Sequence, residues 1–135
     1  MFQGGRAHLA GAVAVQTEVC FMPLYKDQPL YGDIDRELGM IPHIFSEVQK
    51  AMILPMLFAN DIRATMNHGL YTDVLYVRDF TRPDDMSTEQ LKHLALIAHY
   101  CYASYDLAGK CIRDLTLRNA VAPDAVDRYL KGLKV

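Results

Sequence analysis

Five residues of this chain have types and positions suited to handling a small polar ligand: Glu18, Tyr25, Gln28, Gln3 and Gly4. Glu18 is a carboxylate near the end of an alternating apolar stretch, and such strand ends are where α/β domains hold their ligands. A carboxylate there can contact a substrate or act as a general base toward a hydroxyl. A solvated or salt-bridged strand residue is the competing reading. Tyr25 and Gln28 follow in the polar stretch after that strand, where a phenol and an amide can line an acceptor pocket; packing is the alternative for the tyrosine. Gln3-Gly4-Gly5 reads either as the rim of a site loop or as a turn near a frayed terminus.

Other chemistry is less well supported. His8, His43, His68, His93 and His99 contain no pair at the i, i+4 spacing of a helical zinc site, so no metal site is expected. His99 lies on an apolar helical stretch and reads as a satisfied packing residue. Cys20, Cys101 and Cys111 are odd in number and lack paired spacing, which suits buried free thiols rather than a disulfide framework. Arg78 sits between Asp73 and Asp79 and is expected to pair with one of them. Tyr100, Tyr102 and Tyr105 read as core, not as a platform for stacking bases.

The elements that position these residues follow from periodicity. Val13, Val15, Thr17, Val19 and Phe21 alternate with smaller or polar residues, which predicts a strand over 13–22 that stops at Pro23. Tyr31 to Leu38 predicts a short helix with Gly39 as its stop. Met40 to Phe45 predicts a second strand, held to a sheet edge by Pro42. Residues 47–58 predict a helical piece kinked at Pro55, with turns at Asn60-Asp61 and Asn67-His68-Gly69. Tyr71 to Phe80 predicts a strand covered on both faces, because Val74, Leu75, Tyr76 and Val77 are all apolar. A long helix is expected from the Ser87 cap, with Gln90 completing a capping box, to about Asn119. Pro123 then starts a short terminal helix with Val126, Tyr129 and Leu130.

Length and composition fit this order. The chain has 135 residues, 51% of them hydrophobic and 22% charged, enough to build the core of one domain. A formal net charge of −2 without a Lys/Arg run argues against a nucleic-acid surface. No apolar run reaches the ~18 residues that span a bilayer, and Met1 to Arg6 lacks the apolar core of a signal peptide. A cytoplasmic chain is the expectation.

The stretch Val15-Gln16-Thr17-Glu18-Val19-Cys20-Phe21-Met22-Pro23-Leu24-Tyr25-Lys26-Asp27-Gln28-Pro29-Leu30-Tyr31 resembles the FkbM family of S-adenosylmethionine-dependent methyltransferases, in which a Glu-containing strand runs into a Phe-x-Pro-Leu-Tyr-x-x-Gln-Pro segment. Asp73 to Phe80 is similar to that family's last strand, Leu94 to Leu107 to a closing helix, and Gln3-Gly4-Gly5 with Gly11-Ala12 to the tail of its Asp-Val-Gln-Gly-x-Glu…Lys-Gly-Ala stretch. Met1-Phe2 stand where the family has Asp-Val, and Arg6 stands where it has Glu.

The resemblance covers roughly Gln3 to Leu115 and matches the C-terminal part of the family's domain. It implies an α/β fold: part of a class I, Rossmann-like methyltransferase domain over residues 1–119, with 120–135 as a terminal helix. Its sheet would be mixed and three-stranded, with a reversed final strand between the other two, followed by the long C-terminal helix. The resemblance implies methyl transfer to a hydroxyl of a sugar or natural product. Glu18 would be the catalytic base, and Gln3, Gly4, Tyr25 and Gln28 would bind the acceptor. S-adenosylmethionine is the implied cofactor. No Gly-rich turn follows a strand, so tight binding of it by this chain alone is not expected. The alternative is a non-catalytic module that pairs with itself or a partner chain through an open sheet edge. Neither a nucleic-acid nor a membrane partner is expected.

Overall fold

The computed structural model describes residues 2–51 and 66–133. Its elements, in order, are α1 (Phe2–Leu9), β1 (Ala14–Cys20), α2 (Tyr31–Leu38), β2 (Ile41–Phe45), β3 (Gln49–Ala51), β4 (His68–Val77), a 3₁₀ turn at Pro83–Asp85, α3 (Thr88–Tyr102), α4 (Tyr105–Leu117) and α5 (Ala125–Gly132). The chain divides into two compact units. A sheet unit comprises Met1–Gly5 and Val15–Tyr76, and a helical unit comprises Arg6–Ala14 and Val77–Val135.

In the sheet, β4 is central, with β1 on one side and β2 on the other. The hydrogen bonds from Phe21 N–H to the Leu70 carbonyl and from Arg78 N–H to the Val13 carbonyl run β1 against β4. On the opposite side β3 pairs antiparallel with β4, with Gln49 opposite Tyr71 and Ala51 opposite His68. The sheet is therefore four-stranded and antiparallel, not three-stranded and mixed, because β4 runs against every neighbour. The central place of β4 and the edge place of the Pro42 strand match the sequence expectation. Thr72 closes the gap between β2 and β3: its buried hydroxyl donates to the Ser46 carbonyl at 2.9 Å.

Two local expectations fail on this edge. The helix expected over 47–58 is strand β3 in its described part, since Gln49 to Ala51 find ladder partners on β4; the rest of that stretch, with the Asn60-Asp61 turn, lies outside the described residues. His68-Gly69 starts β4 instead of forming a turn. A Cβ on Gly69 would lie 3.3 Å from Val48 Cγ1 and 3.5 Å from the Phe21 ring, so this glycine marks a close approach within a strand.

Helix α2 forms as its residues dictate. The Asp33 carboxylate accepts from the Leu30 N–H at 3.0 Å, satisfying one of the free donors at the helix start. Gly39 ends the helix at φ +58°, its N–H donating to the Asp35 carbonyl, a conformation that glycine adopts without steric cost. The helix turns Ile34 into a core with Val19, Val74 and Tyr76, flanked by the half-buried Val15, Tyr31, Leu38 and Met40. Burying each large apolar side chain here contributes about 1.5–3 kcal/mol.

The helical unit begins at the capping box foreseen from sequence. The Gln90 N–H donates to Ser87 Oγ at 3.1 Å, and the Ser87 N–H donates to Gln90 Oε1 at 2.9 Å. The single long helix expected beyond it is two helices. Ala103 takes a left-handed conformation, φ +51°, and the Ser104 N–H closes the end of α3 on the Ala98 carbonyl. Helices α3 and α4 pack on each other and bury Leu91, Leu94 and Ala98 from the first and Leu107, Ala108, Cys111 and Leu115 from the second. Asn119 at φ +54° ends α4, and α5 packs on α4.

Candidate functional site

The site residues read from sequence converge, in part, at the carboxyl end of β1. Glu18 and Cys20 are two apart and so share a face of the strand. Glu18 is exposed and Cys20 is buried. Gln28, eight residues on, ties the following loop to this point: its Nε2 donates to Cys20 Sγ at 2.8 Å, while its Oε1 accepts from the Leu24 N–H at 2.7 Å. The loop over 21–30 is thus fastened at both ends of one amide side chain. Burial, with the Glu18 charge second, raises the Cys20 thiol above its ordinary value, and the bond from Gln28 works the other way. The thiol is accordingly a neutral packing group and not a nucleophile.

Around this anchor, Glu18 presents a carboxylate with no ion pair among the described residues, so of the two structural alternatives it is solvated rather than salt-bridged. Tyr25 extends from the loop with 67% of its surface exposed, so it does not pack. On the other side of the strand end, Met22 Sδ lies 2.9 Å from His68 Nε2. This end of the sheet therefore presents a carboxylate without an ion pair and, on a tethered loop, an exposed phenol.

Gln3 and Gly4 are not part of a loop. Both lie within α1, as does Gly5, and this corrects the turn expected there. The residue that sequence reasoning missed is Cys20, the acceptor that gives Gln28 its position. The only signal was an amide placed eight residues after a strand cysteine with Pro23 between them.

Several expectations for the helical unit are also revised. Arg78 pairs with neither Asp73 nor Asp79: its Nε donates to the Ala12 carbonyl at 2.8 Å and its Nη2 to the Ala10 carbonyl. Asp79 instead accepts from the Thr81 hydroxyl and N–H and from Arg82 at 3.0 Å, and Thr81 first, then Arg82, holds its carboxyl below the ordinary value. Arg118 donates to the Met86 and Pro83 carbonyls at 2.9 and 2.6 Å, fixing the turn that leads into α3. Cys101 is exposed, whereas Cys20 and Cys111 are buried, and all three are free. Tyr100 is 77% exposed and so is not core; the apolar stripe of the expected long helix is wider than the surface that covers α3. His99 is a packing residue as read, with Nδ1 3.0 Å from the Tyr129 hydroxyl and its ring against Tyr100, Tyr105 and Tyr129.

Among the described residues, no cluster of three His, Cys, Asp or Glu side chains could hold a metal ion, and no helix is long and apolar enough to cross a membrane. The turns after β1 and β2 contain no glycine. Comparison with known proteins finds no match for this chain among protein families, curated proteins or solved structures.

Proposed function

We propose that the sheet unit is the acceptor-side part of an FkbM-like methyltransferase, which positions a hydroxyl of a sugar or natural product for methylation. The observation that carries this reading is the tethered loop at the carboxyl end of β1, with unpaired Glu18 beside it and Gln28 committed to holding it. The reversed β4 between β1 and β2 agrees with the last-strand arrangement that the resemblance implies. In this reading Glu18 takes the acceptor's hydroxyl proton, Tyr25 contacts the acceptor, and Gln28 positions the loop without touching substrate. The methyl donor in this reading is S-adenosylmethionine, and the part assigned to these residues is binding and deprotonating the acceptor.

Amide chemical shifts recorded while titrating monosaccharides and phenols test this. At least one acceptor should move the resonances of residues 18–28, and Glu18→Gln should abolish the effect. A panel that leaves those amides unmoved, or a Glu18→Gln chain that responds as the parent does, removes the reading. Calorimetry should find no micromolar binding of S-adenosylmethionine by this chain. Light scattering on the same sample addresses the second reading, pairing through the open edges at β1 and β2: a stable monomer rules it out.

A further inference from the structure

We propose that the helical unit carries a binding site for a small apolar carboxylate, such as a medium-chain alkanoate, in a groove formed by α3, α4 and α5. The groove holds about 510 Å³, within the size range of small-molecule sites. Ala95, Leu96, Ile112 and Leu115 give it apolar walls. Leu96 remains 55% exposed beside the exposed Tyr100 ring, so the groove presents apolar surface to water that a ligand could cover.

The polar groups of the groove select the charge of that ligand. Among the described residues its lining includes two cations, Lys92 and Arg128, and no acidic side chain. Lys92 is already bonded to Glu89 at 2.7 Å, whereas Arg128 makes no ion pair among the described residues. One uncommitted guanidinium matches one carboxylate, with the bidentate geometry that arginine favours. A dianion or a nucleotide would leave charge unmet, and a cation would be repelled.

His99 and Tyr129 add a donor. Their 3.0 Å contact leaves one free hydrogen in either tautomer: His99 Nε2–H if the phenol donates, or the Tyr129 O–H if the ring does. Burial, followed by the charges of Tyr105 and Asp106, keeps the Tyr129 phenol protonated beyond its ordinary range. The site thus offers an apolar body, a guanidinium and a neutral donor.

Octanoate, octanol and octylamine, titrated into the full chain by calorimetry and amide shifts, separate the components. Octanoate should bind saturably and move the amides of Leu96, His99 and Tyr129, with octanol roughly tenfold weaker, as expected for loss of one charge-assisted contact. Arg128 is exposed, so Arg128→Gln should leave the circular dichroism intact and bring octanoate down to the octanol level. Leu96→Glu, which sets a carboxylate in the groove, should abolish octanoate binding. The proposal is overturned if octanol or octylamine binds as tightly as octanoate, if octanoate shows no saturable binding, or if its shifts fall outside the groove.

Discussion

The sheet unit and the helical unit bury their apolar residues differently. In the helical unit, α3 and α4 share one seam of fully buried side chains, with Leu91, Leu94 and Cys111 at 0% exposure, and at the start of that seam a capping box satisfies two backbone N–H donors. In the sheet unit one buried cluster joins Val19, Ile34, Val74 and Tyr76, ringed by half-buried residues, and Tyr76 carries a hydroxyl with no hydrogen-bond partner among the described residues. The helical unit adds to its packing side chains bonded to backbone, such as Arg78 on Ala10 and Ala12 and Arg118 on Pro83 and Met86. The sheet unit relies on side chains such as Thr72, Gln28 and Asp33 bonding to backbone or sulfur. The lesson concerns where polar groups are placed: Glu18 and Tyr25 stand exposed on the sheet unit, while the helical unit buries Asp114, paired with Lys110, beside its apolar seam.

The largest expected effect is truncation of the helical seam. Leu94→Ala should lower unfolding free energy by about 3 kcal/mol, from lost burial and the cavity left behind. Val74→Ala in the sheet cluster should cost about 2 kcal/mol, because fewer carbons are removed and the half-buried ring can relax inward. Denaturant midpoints at constant m-value measure both, and equal costs would end the contrast. The next effect depends on pH. Burial, with Asp114 second, pushes the Cys111 thiol from 9.0 to about 11, against a smaller opposing pull from Lys110. The unfolded thiol therefore ionises first. Stability from this group is complete below pH 9.0, declines between there and about 11, and is lost above, a change of about 2–3 kcal/mol. Cys111→Ala should flatten that part of the stability profile; an unchanged slope would show that the thiol is not protected in the folded chain.

The same contrast governs what could be read in the sequence. Residues whose local chemistry decides their structure were legible: the Ser87–Gln90 box, the Gly39 stop, the alternation in β1 and the four-residue apolar run in β4. Pro42 gave the edge position of β2 because a missing N–H excludes it from the sheet centre. Features decided by distant partners were not legible. Ala103 breaks the helix although alanine is the best helix former, since the apolar stripe continues across it. Gly69 looked like a turn because nothing local reveals the Phe21 ring and the Val48 methyl beside it. Gln49 to Ala51 became a strand only because β4 offered them partners. For the candidate site, Glu18 and Gln28 were visible as types. The role of Gln28 as a tether needed Cys20 to be brought within reach of it.

The smallest effect should have the opposite sign and lies in the sheet unit. Tyr76 is fully buried, its hydroxyl lacks a partner among the described residues, and burial first, then the facing Tyr31 and Asp35, pushes the phenol up to about 12. A desolvated hydroxyl without a hydrogen bond costs free energy in the folded state. Tyr76→Phe keeps the ring and its contacts with Val19, Ile34 and Val74, and should raise stability by about 0.5–1 kcal/mol at neutral pH. It should also remove the loss of stability that the parent phenol produces between pH 10.0 and about 12. A gain read from the denaturant midpoint would mean that the sheet unit tolerates an imperfect core. A loss would mean that the hydroxyl has a bonded partner, a buried water for example, and that the two units are equally well satisfied.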